Sequence, residues 1–160
     1  MRSVTPITVI MRAVLLVALV AVVSACSRSS TGVGNLGPGQ GAPGSQQEFL
    51  VSVGDRVFFE TDSSSLTQQA QVTLDKQAAW LNRYSNYRIL IEGHADERGT
   101  REYNIALGAR RASVVVNYLV SKGVNPGRVT SKSFGKERPV AICNDISCWS
   151  QNRRAVTVVQ

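Results

Sequence analysis

The chain has 160 residues, 43% of them hydrophobic, and a formal net charge of +7. That length predicts one domain with little room for a second, and one histidine with three cysteines supplies no convincing zinc-enzyme ligand set. The positive surplus would tolerate nucleic acid, but the first segment directs the chain out of the compartment that holds it, so no nucleic-acid partner is expected.

Residues 1–25 read as an export signal. Arg2 and Arg12 precede the run AVLLVALVAVV (13–23), which is too short to span a bilayer. The following VSAC, residues 23–26, resembles the lipobox of bacterial lipoproteins, in which the cysteine, here Cys26, becomes the acylated first residue. The competing reading is an ordinary cut after Ala25 with a chance cysteine. Met11, followed by Arg12 and the apolar run, offers a second start for the same signal. Cleavage removes two of the 18 basic residues and no acid, so 16 basic face 11 acidic residues, a charge of +5. An anionic wall polymer or lipid surface suits that charge.

Residues 27–47, SRSSTGVGNLGPGQGAPGSQQ, are Gly, Ser, Pro and Gln with almost nothing apolar to offset the entropy of ordering. With Cys26 they read as a flexible tether over 26–47, of stretched reach roughly 70 Å, carrying a folded domain over 48–160. Within that domain DRVFFE (55–60) is a β-branched and aromatic run, read as a strand. Ser65 or Thr67 then caps a helix over about 67–83, on which Leu66, Ala70, Leu74, Ala78 and Leu81 recur at helical spacing. YRILIEG (87–93) alternates as a second strand. Ile105, Ala109, Ala112, Val116 and Leu119 mark a second helix over about 101–122, ended by KGVNPG. RVTSKSFG (128–135) is a third strand, a short helix follows near 145–152, and RRAVTVV (153–159) is the last strand.

The order β-α-β-α-β-(short α)-β predicts a compact α/β sandwich, of α+β type, with helices packed on one face of a mixed sheet. With Cys26 acylated, Cys143 and Cys148 remain as an even pair in an oxidising space and read as a disulfide. The alternative, a thiol metal site, lacks a nearby histidine.

EGHADERGTREYN (92–104) holds the only histidine, His94, among four acids and two arginines. It is the turn leaving the second strand and entering the second helix, where exposed groups stand on rigid elements. His94 and Asp96 suggest a hydrolytic pair, but no nucleophile elbow accompanies them. His94 is therefore read as structural, its imidazole hydrogen-bonded near the strand end, and no catalysis, cofactor or metal is expected. Asp96 and Arg111, fifteen residues apart, suit a zwitterion: carboxylate to ammonium, and the planar guanidinium fork to carboxylate. A plain Asp96–Arg111 salt bridge pinning loop to helix explains the same residues equally well.

EGHADERGTREYNIALGARRASVVVNYL (92–119), with VFFETD before it and SFGKERP and NRRAV after, resembles the OmpA-like peptidoglycan-binding domain. Within that family it resembles the peptidoglycan-associated lipoproteins of the Tol–Pal system, over about residues 53–160. The resemblance implies binding, without cleavage, of the diaminopimelate of peptidoglycan stem peptides. Asp96 would take its ammonium and Arg111 its carboxylate. Asp62, Asn104 and Leu107 would line or brace the pocket, and Phe59 would form an apolar wall. Backbone N–H groups around 61–65 would cradle a carboxylate, and Arg153 would contribute or serve as an ion-pair partner. Glu60 and Thr61 depart from the family's pattern at the pocket's first wall. The resemblance also implies an outer-membrane lipoprotein facing the periplasm, with TolB and other Tol proteins as partners in envelope constriction during division. The alternatives are a wall-anchoring lipoprotein without a Tol partner and a protein–protein interaction module.

Overall fold

The computed structural model describes residues 41–160; the expected export signal, Cys26 and most of the expected tether lie outside the described residues. Helix α1, Gln46–Glu48, runs on as a π-helical turn over Phe49–Val53. Then come β1 (Arg56–Phe58), α2 (Gln68–Arg83), β2 (Ile89–His94), α3 (Arg101–Ser121) and a 3-10 turn (Pro126–Arg128). Strand β3 (Val129–Gly135), helix α4 (Ile146–Asn152) and strand β4 (Arg154–Val159) complete the domain.

The four strands form one mixed sheet in the order β1-β4-β2-β3. Strand β4 is antiparallel to both β1 and β2, while β2 and β3 run parallel. A parallel pair needs a crossover connection, and α3 provides it. Side chains alternate across a strand, so Val57, Ile89, Ile91 and Ala155 share one buried core with Ala70, Leu74, Ala78 and Leu81 of α2 and Ala112, Val115 and Leu119 of α3. The long helices thus lie on one face of the sheet, as expected. Polar groups crossing this core are paired: Thr157 Oγ1 donates to Gln77 Oε1 at 2.8 Å and Gln77 Nε2 donates to the Gly54 carbonyl at 2.7 Å.

Of the two capping candidates, Thr67 caps α2, its side chain accepting from the Ala70 N–H, and Thr100 caps α3 through the Tyr103 N–H. Such caps satisfy donors that the first helical turn leaves unpaired.

Residues 44–47, expected to belong to a flexible tether over 26–47, are ordered. Ser45 caps α1, and Glu48 accepts from the Gly44 N–H at 2.7 Å and from Trp80 Nε1 at 2.8 Å. The Tyr87 hydroxyl donates to the Gly44 carbonyl at 2.6 Å, and Phe49 is buried against the Trp80 ring, centroids 4.9 Å apart. Gly44 sits at φ +78°, where a side chain would be strained and would also strike the Tyr84 ring. The polar composition of this segment suggested disorder. It is instead held by aromatic side chains far along the chain.

Candidate ligand-binding site

The site forms where β2 ends and α3 begins. The Ala95 N–H bonds the Gly135 carbonyl at 2.8 Å, fixing the chain as it leaves the sheet. Lys136 Nζ donates to the carbonyls of Glu97 and Gly99, at 3.1 and 2.7 Å, and Asn104 Nδ2 to that of Arg98 at 2.8 Å. These bonds hold the 96–100 turn in one shape and place the Asp96 carboxylate over the start of α3.

Asp96 is 7% exposed. Its Oδ1 accepts from the Arg98 N–H at 3.2 Å and from Arg98 Nε at 3.1 Å. Its Oδ2 accepts from Arg98 Nη2 at 2.7 Å and Arg153 Nη1 at 3.4 Å. Burial alone would raise the carboxyl's pKa, but the hydrogen bonds and charge of Arg98, with Arg153 behind, outweigh it and hold the group below its ordinary value. Arg98 was not singled out in the sequence. Its guanidinium lies 4.2 Å from the Trp149 ring centroid, and Trp149 Nε1 donates to Glu97 Oε1 at 3.0 Å.

Arg111 has no exposed surface. Its Nε donates to the Ser63 carbonyl at 2.8 Å, Nη1 to that of His94 at 2.8 Å, and Nη2 to that of Glu60 at 3.1 Å. Burial, then the neighbouring Arg153 charge, pull its pKa down to about 10 against the opposing pull of Asp96 and Asp62. Three of the five guanidinium N–H groups are thus committed to backbone, and two remain. The plain Asp96–Arg111 salt bridge is absent: Asp96 pairs with Arg98 and Arg153 instead.

Asp62, Asp96, Asn104, Leu107 and Arg111 line one cavity of about 280 Å³, together with Arg98 and Tyr103. Asp62 takes a left-handed conformation, φ 54°, and accepts a hydrogen bond from the Tyr103 hydroxyl across the mouth. Phe59 is not among the lining residues. It is buried beneath Arg111, its ring centroid 5.1 Å from the guanidinium carbon, so it supports the arginine rather than walling the cavity. Arg153 is equally internal: Nε donates to the Phe59 carbonyl at 3.0 Å and Nη1 to Asp96. Both residues border a second hollow of about 470 Å³ between β1 and α2, which lacks Asp96 and Arg111. The anion cradle expected over 61–65 is partly used up, since the Ser63 N–H bonds the Glu60 carbonyl and the Ser65 N–H bonds Ser63 Oγ.

His94 is buried, as a structural residue should be, but its imidazole makes no hydrogen bond. It stacks on Phe134, centroids 5.6 Å apart. Burial, then the charges of Arg154, Arg138 and Arg56, lower its pKa to about 4. Cys143 and Cys148 form a disulfide with Cα atoms 5.7 Å apart, so their sulfurs are not free as metal ligands.

What the arrangement can do chemically follows from its charges. Three guanidinium groups (Arg98, Arg111 and Arg153) lie about two carboxylates (Asp62 and Asp96), an excess of positive charge that favours one further anionic group.

Residues 58–153 match the OmpA family. Over 124 residues the chain is 67% identical to the peptidoglycan-associated lipoprotein of Rhizobium meliloti (strain 1021), covering 78% of this chain and 70% of that one. It is 57% identical over 148 residues to that of Mesorhizobium japonicum, covering 90% and 88%. Among solved structures, the peptidoglycan-associated lipoprotein from Burkholderia pseudomallei superposes with a TM-score of 0.65 at 44% identity, over 66% of this chain and 90% of that one. The C-terminal domain of Helicobacter pylori MotB shares the fold, with a TM-score of 0.62 at 23% identity over 66% and 84% of the two chains. The chain belongs to the OmpA family, and within it to the peptidoglycan-associated lipoproteins.

Proposed function

We propose that the domain binds peptidoglycan without cleaving it, taking the diaminopimelate of a stem peptide into the Asp96 cavity. The observation that carries this reading is the meeting of Asp96 and Arg111 in one cavity with guanidinium groups in excess. The ligand's ammonium pairs with Asp96, and its carboxylate meets the two N–H groups of Arg111 that the backbone leaves free. Asp62, Asn104 and Leu107 shape the entrance, while Phe59 and Arg153 hold the two clamp residues from behind.

In this reading residues 1–25 are removed, acyl chains on Cys26 hold the protein in the outer membrane, and the tether lets the domain reach the wall from the periplasmic side. Several acyl chains make a lasting anchor at about 0.8 kcal/mol per buried CH₂. Many anchored copies on a repetitive polymer join the two layers even where each contact is weak. Membership of the peptidoglycan-associated lipoproteins supports TolB and the other Tol proteins as partners, and with them a part in outer-membrane constriction during division.

The test is co-sedimentation of the mature chain with diaminopimelate-containing sacculi. Wild type should pellet and Asp96→Asn should stay in the supernatant while still unfolding cooperatively. Equal pelleting of the two proteins sinks the site assignment, and release of soluble muropeptides over time sinks the non-enzymatic reading. Capture of solubilised envelope protein with the mature chain, probed for TolB, tests the Tol assignment.

A further inference from the structure

A carboxylate offers about four acceptor positions, and on Asp96 all four are taken: two on Oδ1 by the Arg98 N–H and Nε, two on Oδ2 by Arg98 Nη2 and Arg153 Nη1. An ammonium cannot reach this carboxylate unless something leaves. Arg153 is 5% exposed and also tied to the Phe59 carbonyl. Arg98 has a side chain 40% exposed and opens onto the cavity, so it is the group free to move. We propose that Arg98 determines the specificity of the site: it stands in for the ligand's cation on Asp96 in the empty domain, and on binding it turns to the ligand's carboxylate. The inference rests on the wall-binding reading above.

The exchange favours a zwitterion for an electrostatic reason. A plain amine that displaced Arg98 would leave the guanidinium without a counter-charge beside Arg111 and Arg153. A ligand carrying an adjacent carboxylate supplies that counter-charge, so one internal ion pair is replaced by two ligand pairs. Arg111 alone cannot discriminate in this way, since it is fully buried and three of its donors hold backbone carbonyls.

Trp149 is the positioning residue for this exchange. The Arg98 guanidinium lies on its ring face at 4.2 Å, a stack that leaves the N–H edge free to change partners. The indole is itself fixed, by its hydrogen bond to Glu97 and by the disulfide at the preceding residue, Cys148. Arg98 can therefore swing from Asp96 to a ligand while keeping one of its two supports.

The chemistry separates two kinds of wall peptide. A diaminopimelate side chain ends in both an ammonium and a carboxylate, whereas a lysine in the same position ends in an ammonium alone. The experiment measures affinity of the mature chain, purified in detergent, for two muropeptides that differ only in this residue. Wild type should prefer the diaminopimelate peptide, and Arg98→Met should shrink that preference about tenfold, the effect of one charge-assisted hydrogen bond. Arg98→Lys, which keeps the charge without the fork, should fall between them, and Trp149→Leu should move the ratio the same way. An unchanged ratio in Arg98→Met, or in Arg98→Lys should the former not fold, overturns the proposal, as does a wild type that binds both peptides equally. Asp96→Asn separates the two levels: if it binds the diaminopimelate peptide as wild type does, the wall-binding site itself is wrong, whatever Arg98 does.

Discussion

Gly93 on β2 and Gly108 on α3 meet backbone to backbone. A methyl group on Gly93 would be driven into the Gly108 carbonyl oxygen, and one on Gly108 would lie 2.9 Å from the Gly93 oxygen. This approach lets α3 sink onto the sheet far enough for Arg111, three residues further along, to reach the His94 carbonyl at 2.8 Å. The clashing atoms are backbone, so neither side can yield by changing rotamer. Gly93→Ala should cost about 3 kcal/mol, the upper end of overpacking, read as a shift in the urea midpoint. A loss below about 1 kcal/mol would mean that the helix can ride higher on the sheet without harm.

Arg111 should matter for folding as well as for ligand. Removing its guanidinium leaves the Ser63 and His94 carbonyls without their donor, while the Glu60 carbonyl keeps the Ser63 N–H, at about 1–3 kcal/mol for each acceptor left unsatisfied. Arg111→Met should therefore destabilise the domain by at least about 2 kcal/mol and make the 60–65 turn the first site of proteolytic cutting. If its unfolding curve overlays that of wild type, the three hydrogen bonds do not hold the turn. Loss of wall binding in any Arg111 variant has to be read beside its unfolding curve, which is why Asp96→Asn is the cleaner test of the site.

The same residues show what sequence reasoning reached and where it stopped. Strand and helix order was legible because α2 carries its buried face in apolar residues: Ala70, Leu74, Ala78 and Leu81 were read as that face and are buried. On α3 the pattern Ile105, Ala109, Ala112, Val116 and Leu119 met the true face only at Ala112 and Leu119, that face being Asn104, Leu107, Gly108, Arg111, Ala112, Val115 and Leu119. The buried stripe there holds a glycine for close approach, an arginine bolt and an asparagine brace, none of which registers as hydrophobic. Asp96 and Arg111 were paired by charge and placement, and the resemblance of the whole motif favoured a ligand clamp over a plain salt bridge. Arg98 and Trp149 escaped because their meeting spans 51 positions and depends on where the short helix α4 settles. Phe59 and Arg153 belong near the site, but packing puts them behind the clamp, which only three-dimensional burial reveals.

Acid should weaken the fold through His94. Burial, then Arg154, Arg138 and Arg56, lower its pKa from 6.5 to about 4, and the Glu92 carboxylate, 3.6 Å from Nε2, does not offset them. The unfolded chain takes up the proton below about pH 6.5, the folded chain only near pH 4. The stability tied to the neutral ring is thus complete above pH 6.5 and is lost as pH falls through that window, on the order of 3 kcal/mol in all. His94→Phe preserves a ring against Phe134 and strands no partner, because neither imidazole nitrogen is bonded. Its urea midpoint should fall less steeply than that of wild type between pH 6.5 and 4; parallel curves would show that His94 does not drive the loss.

The domain should need the residues that precede its first strand. A chain beginning at residue 54 lacks Phe49, which is 1% exposed, and the Glu48 acceptor of Trp80. Loss of a buried phenylalanine costs about 3–5 kcal/mol, so this chain should be that much less stable than one beginning at residue 41, with Trp80 emission shifted to the red. Equal stability would show that residues 41–53 rest on the domain without supporting it.

Reduction of Cys143–Cys148 should act locally. Closing so short a loop contributes about 2 kcal/mol through the entropy it removes from the open chain. Helix α4 spans only seven residues, too few to persist without tertiary support, and Cys148 and Asn152 are its buried residues. Asn152 continues to hold the Val140 and Ala141 backbone after reduction, so the segment should fray rather than leave the domain. Amide exchange should speed up over 146–152 while β2 and α3 keep their protection. Because Trp149 lies in the frayed segment, the Arg98 side chain loses one of its two supports and should become more mobile, visible as broadening of its Nε–H resonance. Uniformly faster exchange across the sheet would instead show that the disulfide holds the whole fold, and that α4 is not the separate unit its short length suggests.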